Sequence, residues 1–71
     1  MTEVSPEQYA LRFVRLKQQL LELFEPVEAD AWLHCAQDRL QGRRPVDLLW
    51  SELGYLEVSS IIHAILDGSF L

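Results

Sequence analysis

Three prolines, Pro6, Pro26 and Pro45, set the organisation of this chain. Proline lacks an N–H and has φ fixed near the helical value, so it is excluded from helix interiors yet favoured at the first helical position. The residue ahead of each is pushed away from helical geometry. The chain is therefore read as helices that begin at these prolines and break just before them. Ser5 can cap the first helix, and Gln8 completes a capping box of the Ser-x-x-Gln type. Beyond it Tyr9, Phe13, Leu16, Leu20 and Leu23 recur at three- and four-residue steps, flanked by Ala10, Val14, Leu21 and Phe24. That spacing predicts one long amphipathic helix over 5–24, with Arg12, Arg15, Gln18, Gln19 and Glu22 largely on its other side.

Pro26 opens a second helix, in which Glu28 and Asp30 favour the positive end of the helix dipole. Its apolar face is Ala29, Trp32, Leu33 and Ala36, with Leu40 closing the segment, and periodicity leaves open whether it breaks midway. Gly42 supplies a left-handed residue to end it. A short third helix is expected from Pro45 to about Ser51, then a tight turn at Gly54. A last helix from about Tyr55 to Asp67 carries Val58, Ile61, Ile62, Ile65 and Leu66, with Gly68 as its C-terminal cap. The fold class is all-α: a small bundle of four to five helices with one long N-terminal helix, forming a single domain over 1–71.

Size and charge narrow the function classes. A 71-residue chain buries a modest core even though 49% of its residues are hydrophobic, so a partner or a second copy would stabilise it. The net charge is −5, and the acid excess runs through both halves, with six acids to three bases over 1–30 and five to three over 31–71. Phosphate contacts need a basic face, so nucleic-acid binding by this chain is not expected, and a basic protein partner suits it better. The first residues lack a signal-peptide pattern, and no apolar run approaches the ~20 residues of a membrane span. These points predict a soluble, cytoplasmic protein.

Catalytic chemistry finds little support. No phosphate-cradling glycine loop, Gly-x-Ser-x-Gly or paired-histidine helix occurs. Cys35 is the single cysteine, which excludes an intrachain disulfide and a cysteine-based zinc site. It is read as a small buried or half-buried thiol within a helix. His34 pairs most simply with Asp30, four residues earlier, and His34 with His63 falls short of metal-ligand spacing. No enzyme activity, metal or cofactor is expected. Trp32 shares the stripe of Ala29, Leu33 and Ala36 and is read as core, whereas Trp50 fits core and interface equally well. Arg43 and Arg44 stand together in a turn, where they could neutralise helix-end carbonyls or recognise an anion. Phe70 and Leu71, just beyond Gly68, should either fold back on the core or enter a partner.

The stretch 31–71 resembles the toxin-binding domain of the Xre/MbcA/ParS family of bacterial antitoxins. The residues that carry the likeness are Trp32-Leu33, then Leu40-x-Gly42-Arg43-Arg44-Pro45-Val46-Asp47-Leu48-Leu49, then Val58, Ile62, Ile65 and the closing Gly68-Ser69-Phe70. The resemblance implies a helical domain that binds a RES-type toxin, ADP-ribosyltransferase-like and NAD-consuming, and holds it inactive with its C-terminal segment in the NAD pocket. Gly68, Ser69, Phe70 and Leu71 would form that segment, and Arg43 and Arg44 a toxin-facing or structural turn. A free C-terminal carboxylate could also meet arginines that grip the cofactor phosphates. Many family members carry a DNA-binding helix-turn-helix domain ahead of this region, whereas here one long helix precedes it. That helix is a candidate for homo-oligomerisation. A helical adaptor or oligomerisation module for an unrelated protein is the alternative reading.

Overall fold

A computed structural model describes residues 4–68. Its helices are α1 (Pro6–Leu20), α2 (Pro26–His34), α3 (Pro45–Leu48) and α4 (Glu52–Asp67), with a 3₁₀ turn at Asp38–Leu40 between α2 and α3. The described residues hold no strand, only an isolated antiparallel bridge between Gln37 and Arg43. All three prolines begin helices, as their fixed φ requires. Ser5 Oγ accepts from the Gln8 N–H at 3.2 Å, and Glu28 Oε1 accepts from the Glu25 N–H at 3.0 Å ahead of α2. Gly68 ends α4 at φ +75°, its N–H bonded back to the Ala64 and Ile65 carbonyls.

Helix α1 stops at Leu20, four residues short of the periodic pattern, and Leu21–Phe24 form turns that carry the chain to Pro26. The expected stripe divides accordingly. Leu16 and Leu20 are fully buried, Tyr9, Phe13 and Phe24 pack on the core from its edge, and Val14, Leu21 and Leu23 face outward. The rest of the core is Ala29 and Leu33 of α2, Leu40, Val46, Leu49, and Val58 and Ile62 of α4. Arg12 also departs from its expected outward position. Its side chain is only 15% exposed and donates to the Leu49 and Ser51 carbonyls at 3.2 and 3.1 Å and to Glu52 at 2.8 Å. Its guanidinium lies 4.8 Å from the Tyr55 ring centre. One long cation thus satisfies carbonyls released where α3 ends and fastens α1 to the α3–α4 corner.

Gly54 does not make the expected turn. Helix α4 begins three residues earlier than the spacing suggested, capped by Ser51 Oγ accepting from the Gly54 N–H at 3.0 Å. The glycine is buried in the first turn of α4, where a Cβ would land on the Leu48 carbonyl oxygen and lie 2.9 Å from Leu48 Cβ. Its role is close approach of one backbone to another. Gly54→Ala is expected to destabilise the domain by about 2–3 kcal/mol, measurable as a lowered urea midpoint. A loss below about 0.5 kcal/mol, the size of an ordinary surface change, would contradict this packing.

Candidate functional site

Helix α2 ends at His34, and the way it ends leaves a concavity beside α4. Cys35 turns extended at φ −104°, ψ 147°. The Gln37 side-chain amide donates to the Trp32 and Cys35 carbonyls at 2.9 and 3.2 Å, and His34 Nδ1 donates to the Asp30 carbonyl at 2.9 Å. These bonds satisfy carbonyls that a continuing helix would have used. The chain then passes through the 3₁₀ turn, and Gln41 at φ 62° and Gly42 at φ 83° reverse it. A cleft of about 220 Å³ is left between this segment and α4, lined by Trp32, Gln37, Asp38, Arg39, Ile61 and Ile65. On the other side of Trp32 lies a shallow apolar depression of about 400 Å³, lined by Phe24, Glu28, Ala31, Trp32 and Cys35. Trp32 is therefore half core and half surface: it packs against buried residues and forms a ridge between two hollows.

Cys35 overturns the expectation of a buried helical thiol. It is exposed and free, because the helix has already ended and the extended backbone carries it to the rim of the hollow. The Asp30–His34 pair is also made differently, through the Asp30 backbone carbonyl. The Asp30 carboxylate instead pairs with Lys17 at 3.0 Å. Trp50 is 36% exposed and stacks on Tyr9, ring centres 4.2 Å apart. No group of three or more His, Cys, Asp and Glu side chains suited to a metal occurs among the described residues.

The two turn arginines play different parts. Arg43 Nε donates to the Leu40 carbonyl at 2.7 Å, and its terminal nitrogen meets Glu57 of α4 at 2.9 Å. It ties the 3₁₀ turn to α4. Arg44 forks onto Asp47 at 2.9 Å through both Nε and a terminal nitrogen, in the open. This fork holds the Asp47 carboxyl below the usual carboxylate range. Burial raises the nearby Tyr9 hydroxyl, with the Asp47 charge adding to the rise. The turn is not gathered with the end of α4. Gly68 lies eleven residues beyond Glu57, roughly 16 Å along the helix axis. Ser69, Phe70 and Leu71 lie outside the described residues.

The model of the antitoxin Xre/MbcA/ParS C-terminal toxin-binding domain matches residues 19–68. The chain belongs to this antitoxin family. The match takes in the last two residues of α1, all of α2, the 3₁₀ turn, α3 and α4 to Gly68, so the Xre/MbcA/ParS domain begins twelve residues before the stretch in which the sequence resemblance lies. Most of α1 precedes it. Neither a curated protein nor a solved structure matches the chain. As a toxin-binding domain of this family, the chain has a toxin as its partner. No helix among the described residues is long and apolar enough to cross a membrane.

Sequence reasoning did not single out Gln37, Ile61 or Ile65 as site residues. The isoleucines had a signal: they stand four apart at one edge of an apolar stripe that Val58 and Ile62 already fill. Gln37 had none, since a side chain that ends a helix by bonding its carbonyls is set by tertiary geometry. The contrast between the arginines is testable by urea unfolding. Arg43→Ala should lower stability by about 1 kcal/mol through its partly buried bond to Leu40, while Arg44→Ala should leave the midpoint nearly unchanged. Because the Asp47 value is lowered, whatever the fork contributes is present above the ordinary carboxylate range and fades as pH falls through the lowered value. Arg44→Ala should remove that acid-side dependence.

Proposed function

We propose that this chain is an antitoxin that neutralises a RES-domain toxin, ADP-ribosyltransferase-like and NAD-consuming, by placing its C-terminal segment in the toxin's active site. The observation that carries the reading is family membership over 19–68, together with the chemistry of the residues at and beyond the end of the matched segment. Gly68 leaves α4 in a left-handed conformation, which frees the backbone to turn away from the helix axis. Ser69, Phe70 and Leu71 then supply a small polar residue and two large apolar side chains. In this reading Phe70 and Leu71 fill the cofactor pocket, and the antitoxin has no catalytic part. Arg43 acts at the corner that positions α4 through its pair with Glu57, whereas Arg44 pairs with Asp47 in the open.

Self-association through α1 is a companion proposal. The Tyr9–Phe24 stripe is largely spent on the chain's own core, but Leu11, Val14 and Leu21 form a second apolar face, exposed by 67%, 50% and 40%. Their three- and seven-residue steps suit a helix-to-helix contact. Leu11→Glu combined with Val14→Glu is expected to reduce the sedimentation-derived mass to that of one chain. A wild-type chain already monomeric at high micromolar concentration would remove the proposal.

The antitoxin reading is tested by co-expression with a RES-domain toxin and by assay of NAD consumption. The full chain should restore growth and suppress NAD loss, and a chain ending at Gly68 should lose at least tenfold in inhibition. Equal inhibition by the truncated chain would rule out the plug, and failure of the full chain to bind would reject that toxin as the target.

A further inference from the structure

We infer that residues 4–12 form a strap that closes on the α3–α4 corner as one unit, and that its closure holds the start of α4. The strap's long-range hydrogen bonds and ring contacts fall on the short link after α3 and on the first turn of α4. The Val4 N–H donates to the Trp50 carbonyl at 3.0 Å, and Tyr9 stacks on the Trp50 ring at 4.2 Å. Arg12 donates to the Leu49 and Ser51 carbonyls and to Glu52, with its guanidinium over the Tyr55 ring. The seat lies inside the matched domain, whereas the strap precedes it.

The link itself is weakly braced. It spans residues 49–51, and the bond from the Ser51 N–H back to the Leu48 carbonyl is long, at 3.4 Å. Ser51 nevertheless sets the course of α4: its carbonyl accepts from the Tyr55 N–H at 3.0 Å and its Oγ from the Gly54 N–H at 3.0 Å. Arg12 grips that same carbonyl at 3.1 Å, so a closed strap fixes the residue from which α4 starts. The strap is held differently from the rest of α1. None of residues 4–12 is fully buried, and the first fully buried side chain of α1 is Leu16. From Phe13 onward α1 is tied to the core and to α2, through the Phe13–His34 ring contact, Leu16, Leu20 and the Lys17–Asp30 pair. A segment with few buried apolar side chains opens at lower free energy than the core. Here it can lift from the helix N-terminus while the turns behind it stay packed.

Native-state amide hydrogen exchange on the full chain, followed through low urea concentrations, tests the strap. The amides of residues 9–12 and those of Gly54 and Tyr55 should exchange through one shared opening, with protection about tenfold or more below that of Leu20, Val58 and Ile62. That opening should depend little on urea, whereas the core amides should show the urea dependence of whole-domain unfolding. Arg12→Met keeps the apolar stem and removes every donor, so it should speed exchange at both sets by the same factor, about tenfold. Glu52→Gln alters only the exposed arm of the contact and should speed both sets by about two- to threefold. If residues 9–12 exchange only together with the core, the strap does not open as a unit. If they exchange early while Gly54 and Tyr55 keep the protection of the core, the strap does not hold α4. Either result overturns the inference, and the wild-type profile decides between them even if Arg12→Met fails to fold.

Discussion

The first turn of α4 lies against the Leu48 carbonyl, at a distance no side chain at position 54 would permit. Everything at the far end of the molecule depends on that contact. It sets α4 against α3, and α4 then carries Val58 and Ile62 into the core and Ile61 and Ile65 to the cleft edge. Two long cations hold the arrangement from opposite sides. Arg12 reaches from α1 to the α3–α4 corner, and Arg43 joins the 3₁₀ turn to Glu57. Both bond backbone carbonyls as well as carboxylates, which gives them a directional role that exposed ion pairs lack.

This frame separates two kinds of surface. Around Trp32 the irregular end of α2 leaves two hollows among the described residues, one of them walled by Ile61 and Ile65 of α4. Helix α1 shows a separate exposed apolar face at Leu11, Val14 and Leu21. The family match covers the first surface fully and only the last two residues of α1. The proposed toxin-binding segment and the proposed self-association face therefore lie on different helices, and the two proposals can fail independently.

Much of the architecture was legible in the sequence because local chemistry and tertiary structure agree. Pro6, Pro26, Pro45 and Gly68 each sit where their backbone preferences dictate, and Leu16, Leu20, Val58 and Ile62 fell on the predicted inner stripes. The misreadings share a cause. A glycine needed for close approach looks the same in sequence as one needed for a turn, so Gly54 was misplaced and the Ser51 cap went with it. Cys35 was read as helical because nothing local announces that Gln37 will bond the carbonyls behind it. Arg12 looked like a surface residue because its partners lie 37 to 40 positions away. The cleft was illegible for the same reason: Trp32 and Ile65 meet only once the chain is folded. The family resemblance was legible in Leu40-x-Gly42-x-x-Pro45 and Gly68, but those residues mark the scaffold around the cleft more than its lining.

The central proposal is that a toxin is engaged at the end of α4, by the segment that leaves Gly68. Amide hydrogen exchange on the chain, free and saturated with the proposed RES-domain toxin, tests this most directly. The account predicts slowed exchange at Ile65–Gly68 on binding, with the amides of α1 around Leu11 and Val14 unchanged. Slowing confined to α1, with the end of α4 exchanging as in the free chain, would contradict it.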